Sequence, residues 1–189
     1  GLGDDSIYGL DGTDTIDGGD DVDTVYGGNG NDSVSGGLGA DSLYGEDGND
    51  TLNSGNGADN GTMSGGNGND SLTGGNAAED MQGDDGNDTI DGADGDDVIR
   101  GGDGNDTVIA SNGNDNIDGG DGTNTLNGGD GDDTIYGGEH NTSDTDTLNG
   151  GNGNDTLDGG DGTNTLNGGD HNDTIYGGDN NDTITGGNG

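Results

Sequence analysis

Seventeen acidic side chains stand at one fixed place in this 189-residue chain, each two residues ahead of an aliphatic residue or Met. Sixteen are Asp and one is Glu79. The candidate metal ligands are Asp5, Asp14, Asp23, Asp32, Asp41, Asp50, Asp70, Asp88, Asp97, Asp106, Asp115, Asp133, Asp155, Asp173 and Asp182. The chemistry they suit is cation binding. There is no Cys, and His140 and His171 are the only His, so the donors are oxygens: carboxylates plus the carbonyls of a backbone containing 51 Gly. Such a set suits Ca²⁺ and gives no reason to expect Zn²⁺ or Cu²⁺. Mg²⁺ demands a tighter octahedron than Gly-rich turns offer. No Ser or Cys pairs with a His at a catalytic spacing, and carboxylate pairs are too common here to signal acid–base work. Asp20-Asp21, Asp84-Asp85 and Asp96-Asp97 read as solvated turn faces or extra ligands, and no enzyme is expected.

Composition excludes other classes. The formal net charge is -41, with a single Lys or Arg, Arg100. That charge repels nucleic acid and anionic membranes and invites cations. No apolar run is long enough to insert in a membrane, and no charged, apolar leader starts the chain. With 20 % apolar residues and this charge, composition alone reads as disorder. Periodicity overturns that reading. The residues two beyond the acidic position are Ile7, Ile16, Val25, Val34, Leu43, Leu52, Met63, Leu72, Met81, Ile90, Ile99, Val108, Ile117, Leu126, Ile135, Leu148, Leu157, Leu166, Ile175 and Ile184. They are nine apart except at two places, where two residues (near 59–62) and four residues (near 139–145) are inserted. Gly27-Gly28-Asn29-Gly30-Asn31-Asp32-Ser33-Val34-Ser35 shows the unit, G-G-x-G-x-D-x-U-x.

This pattern resembles the RTX (repeats-in-toxin) calcium-binding nonapeptide family across residues 1–189. The resemblance implies an all-β fold, a parallel β-roll (β-solenoid) with two nonapeptide units per coil and about ten coils in one domain. Each x-U-x is then a three-residue strand and each G-G-x-G-x-D a turn. The residue types agree. U points inward and its neighbours outward by the two-residue period, and the residue before U is Ser or Thr in seventeen of twenty units. Ten coils about 4.8 Å apart make a rod of about 48 Å. Its core is one side chain thick.

In such a roll the turns alternate between two edges. Stacked carboxylates about 5 Å apart repel by roughly 3 kcal/mol per pair, which a divalent cation reverses. Nine gaps on each edge would hold up to about 18 Ca²⁺. Asn124 and Asn164 stand where Asp is the rule, and Gly61 and Glu79 break the other column. Weak calcium binding is expected at the C-terminal half of one edge and around Gly61 and Glu79 of the other.

All five Tyr, Tyr8, Tyr26, Tyr44, Tyr136 and Tyr176, fall in one outward column, readable as a stiffening ladder or as a contact surface for glycan or another rod. The opposite face pairs Thr with Asn, as in Thr125–Asn127, either a solvated face or an ice-ordering one. Asn60-Gly61 and His140-Asn141-Thr142-Ser143 read as tolerated loops, and His171 replaces a turn Gly. By the resemblance, the chain is expected to be secreted, to fold on calcium outside the cell, and to serve as a structural segment of a surface-layer, matrix, adhesin or filament protein. The alternative is the calcium-triggered folding and secretion tail of a secreted enzyme or toxin. A chain that is repeat throughout, with no capping unit, is expected to be a segment of a longer protein or a protomer that associates end to end or side by side.

Overall fold

A computed structural model describes residues 1–55, 60–138 and 143–189. Among them are twenty strands and no helix, so none is long and apolar enough to cross a membrane. The strands run in chain order from β1 (Ser6–Asp11) and β2 (Thr15–Asp20) to β19 (Thr174–Tyr176) and β20 (Thr183–Asn188). Odd-numbered strands form one ten-stranded sheet and even-numbered strands a second, every pairing parallel. Partners lie eighteen residues apart, as in Ile7↔Val25. The step widens to twenty at Leu43↔Met63 and Leu52↔Leu72, and to twenty-two at Leu126↔Leu148 and Ile135↔Leu157. Both insertions therefore leave the register of U on U intact. The loop residues 56–59 and 139–142, His140 included, lie outside the described residues.

The core is the double file of U residues, Val25 to Leu166, each buried to 2 % exposure or less. The files thin at the ends: Ile7, Ile16 and Ile175 are partly buried and Ile184 is half exposed. One expectation is corrected. Most strands span six residues rather than three, because pairing continues through the second Gly and the residue after it, as in Leu10↔Gly28 and Asp11↔Asn29. The ladder bends there instead of ending. The U residue and the first Gly both face inward, as the alternating burial of Thr24–Asn29 shows.

The three glycines of a unit serve two needs. Gly28 and Gly30 take φ of 111° and 126°, which side-chain-bearing residues reach at a cost. Gly27 has no such φ, and it is small because the turn carboxylate fills the space a Cβ would take. At Gly68 both needs coincide: φ is +141°, and a Cβ would collide with the Gly48 carbonyl of the preceding coil. Gly68→Ala is expected to cost about 3 kcal/mol or more and to lower the melting midpoint of the calcium-loaded rod by several degrees. An unchanged melt would show that the coils stack less tightly than this.

Candidate metal centre

Each turn carboxylate uses its two oxygens differently. Asp32 is 3 % exposed. Its Oδ1 accepts the Asp14 N–H of the preceding coil at 2.8 Å, while its own N–H donates to Asp50 Oδ1 of the next at 2.8 Å. The same bond recurs along one edge from Asp14 to Asp182, passing through Asn124 and Asn164 without a break. On the other edge it links Asp5, Asp23 and Asp41, then Glu79, Asp97, Asp115, Asp133, Asp155 and Asp173.

Oδ2 points inward, where the first Gly of the unit carries no side chain. A Cβ on Gly27 would lie 2.7 Å from Asp32 Oδ2 and 2.8 Å from the Gly45 carbonyl oxygen of the next coil. At Gly36 the corresponding oxygens are Asp41 Oδ2 at 2.5 Å and Ser54 O at 2.8 Å, and at Gly92 they are Asp97 Oδ2 at 2.5 Å and Ala110 O at 2.9 Å. An anionic oxygen and a carbonyl oxygen from successive coils thus approach one point, and neither can donate to the other. Among the described residues thirteen Asp share a buried Oδ2 with no hydrogen-bond partner: Asp14, Asp23, Asp32, Asp41, Asp50, Asp70, Asp88, Asp97, Asp106, Asp115, Asp133, Asp155 and Asp173. Two other sequence candidates sit in the end coils. Asp5 lies 3.9 Å from the N-terminal amine, and Asp182 Oδ1 accepts the Asn164 N–H.

Desolvation dominates the electrostatics. It pushes the Asp97 and Asp133 carboxyls up to about 7, against the hydrogen bonds their Oδ1 atoms accept, and neighbouring carboxylates add to the rise. Burial likewise raises Asp70, Asp106, Asp115 and Asp146 to about 6, and Asp41, Asp50, Glu79, Asp88 and Asp155 also lie above the usual range. A buried carboxylate that still holds its charge needs a positive partner. The donor chemistry fits a hard divalent cation held by Asp oxygen and main-chain carbonyl. Among the described residues no three His, Cys, Asp or Glu side chains converge on one point.

The departures from the pattern have visible consequences. Glu79 is long enough to turn back into its own loop, where Oε2 accepts the Gly75 N–H at 3.1 Å. Gly61 has no side chain to offer. Asn164 keeps its Oδ1 bond and places an amide where Oδ2 would be, and that amide donates to Gly159 O at 2.8 Å and Asp161 O at 3.2 Å.

One set of contacts is not visible in the repeat pattern. The residue before the turn Asp forms a second ladder of opposite hand: Asn49 N–H donates to Asn31 Oδ1 at 3.0 Å, Asn69 N–H to Asn49 Oδ1 at 2.8 Å and Asn87 N–H to Asn69 Oδ1 at 2.7 Å. The frequent Asn at that place is its only trace in the sequence. The exposed Asp132 belongs to the same kind of ladder, and the Asn154 N–H holds its carboxyl below the usual range.

The acidic pairs are occupied in similar ways. Asp21 Oδ2 accepts the Gly3 N–H, Asp84 accepts the Ser64 hydroxyl and Asp96 accepts the Asn114 N–H. His171 takes a left-handed φ of 84° at the turn-Gly position, and its N–H donates to Asn188 O. Arg100 pairs with Asp80 at 2.8 Å, both exposed, which contributes little to stability.

The rings of Tyr8, Tyr26 and Tyr44 stack at 4.9 Å, nearly parallel at 5° and 11°. Their faces cover one another, which favours the stiffening ladder over sugar stacking. Tyr136 and Tyr176 are separated by Asp158. On the even-numbered sheet the residue before U is Ser or Thr in every strand, but the second outward file mixes Asp17, Ser35, Asn53, Thr73, Asp91 and Ile109.

A parallel solenoid whose edges carry files of buried carboxylates against main-chain carbonyls is a repeat rod completed by divalent cations. The four-copy family model of the RTX calcium-binding nonapeptide repeat matches residues 1–25, 26–60, 57–90, 73–108, 82–117, 109–141, 140–170 and 158–189. The chain belongs to that family. No curated protein matches it.

Proposed function

We propose that this chain is a non-catalytic, extracellular, calcium-folded rod: a spacer within a secreted surface, matrix, adhesin or filament assembly. The carrying observation is the set of thirteen buried, partnerless Asp Oδ2 atoms, twelve of which lie beside a carbonyl oxygen of the next coil at the first Gly of their unit. One Ca²⁺ for each gives about thirteen ions, fewer than one in every gap between turns, and brings the charge from -41 to about -15. Asp14 to Asp106 line one edge, and Asp23, Asp41 and then Asp97 to Asp173 the other, so the interruption at Gly61 and Glu79 faces a continuous stretch on the opposite edge. Extracellular-type sites of this kind bind at about 10⁻⁴–10⁻³ M, which matches calcium outside cells and leaves the chain unfolded within them.

Equilibrium dialysis in millimolar calcium, with X-ray scattering and electron microscopy, tests the reading. Expected are about thirteen bound ions, a particle about 48 Å long and association of rods at high concentration. A chain that binds no calcium would overturn the calcium reading. A calcium-loaded chain that stays monomeric at every concentration would count against the assembly role.

A further inference from the structure

The thirteen partnerless Asp oxygens make the behaviour of Asn164 informative. Its side chain has the same placement as the turn Asp of other units: it is 1 % exposed, and its Oδ1 accepts the N–H of Asp146 in the preceding coil at 2.9 Å. The second branch differs. Where Asp32 directs a bare oxygen inward, Asn164 directs an amide that donates to Gly159 O and Asp161 O. In the repeat register these carbonyls correspond to those of Gly27 and Asn29 in the Asp32 turn. A Cβ on Gly159 would fall 2.9 Å from the Asn164 amide nitrogen, whereas one on Gly27 would fall 2.7 Å from Asp32 Oδ2, so nitrogen and oxygen occupy equivalent positions. The two chemistries answer the same need. A buried carboxylate and a carbonyl that face each other require a cation between them, whereas an amide and a carbonyl require nothing further.

We infer that Asn164 is a built-in substitute for a calcium ion: the turn from Gly159 to Asn164 closes on its own side chain and takes no metal. The inference rests on the calcium reading above. Asn124 shares the register, but its amide nitrogen is buried without an acceptor, so its turn is not closed in this way. The consequence is specific to this chain. The edge running from Asp14 to Asp182 keeps an unbroken hydrogen-bond ladder through Asn164 while its metal content drops there. Ladder continuity and calcium content are therefore separable properties.

Native mass spectrometry of the full 189-residue chain at saturating calcium tests this with two variants. Asn164→Asp restores a carboxylate oxygen and is expected to bind one ion more than the parent. Asp106→Asn, which keeps an oxygen for the Asp88 N–H, is expected to bind one fewer while retaining the β-sheet circular dichroism of the parent. If Asn164→Asp folds and binds the same number of ions as the parent, the inference fails. Should that variant not fold, an unchanged count in Asp106→Asn would overturn the inference as well. A parent chain that binds no calcium would instead defeat the reading beneath it, and is distinguishable because no variant count is then needed.

Discussion

Chelating calcium at neutral pH is expected to abolish most of the β-structure of this rod, and restoring millimolar calcium to bring it back. The reason lies in the inward oxygens. A buried polar atom left without a partner costs about 1–3 kcal/mol, and more when charged, whereas a folded protein's whole margin is about 5–15 kcal/mol. Thirteen such atoms exceed any margin that a core one side chain thick can supply. Binding confined to the folded form adds directly to stability, so the metal is expected to act as a folding agent. Far-UV circular dichroism in chelator and in calcium measures the effect, and scattering should show the compact rod expand to an unfolded chain. Equal β content in the two conditions would sink the claim.

Acid should do part of calcium's work. The Asp97 and Asp133 carboxyls are raised to about 7, and those of Asp70, Asp106, Asp115 and Asp146 to about 6, against 3.8 for the unperturbed group. The folded form therefore holds more protons than the unfolded form between about pH 4 and pH 7. Where that is so, unfolding free energy falls as pH rises, so the calcium-free rod gains stability as pH drops through 7 toward 4. Protonation turns an inward Oδ2 from an acceptor into a donor, the same exchange that Asn164 makes permanently. Calcium binding should weaken over the same window, because protons and metal compete for one oxygen. The measurement is circular dichroism of the chelated protein from about pH 7.5 to about pH 5, above the isoelectric point near 4.1. A flat, unfolded signal across that range would show that the carboxylates do not govern the apo state.

Much of this was legible in the sequence, and the reasons are physical. A period of nine with U at a fixed place determines which residues share a face, so the paired files from Ile7 to Ile184 follow from counting, as do both insertions. The carboxylate columns are read the same way. Strand length was not legible, because Gly-Gly signals a bend and a bend need not end a ladder, as Leu10↔Gly28 shows. Nor was the division of labour between Oδ1 and Oδ2. It depends on contacts eighteen residues away whose direction along the rod no local pattern encodes: Asp32 reaches back to the Asp14 N–H, while Asn31, its immediate neighbour, receives the Asn49 N–H from ahead. Asn164 appeared in the sequence as a weakened Asp. In the structure it is a satisfied turn, because what matters is the pair of carbonyls that its amide meets.

Those two opposed ladders give the rod a mechanical character. Each coil after the first is fastened to the one before it through an Asp, most are fastened to the one after it through an Asn, and these bonds run along the long axis. Tension applied at the two ends therefore peels coils singly instead of shearing the whole sheet. Each coil that lets go surrenders about 5 Å of rod and releases eighteen residues, which extend to roughly 60 Å. A tether built this way is expected to lengthen in steps, at forces that rise with the calcium bound between coils.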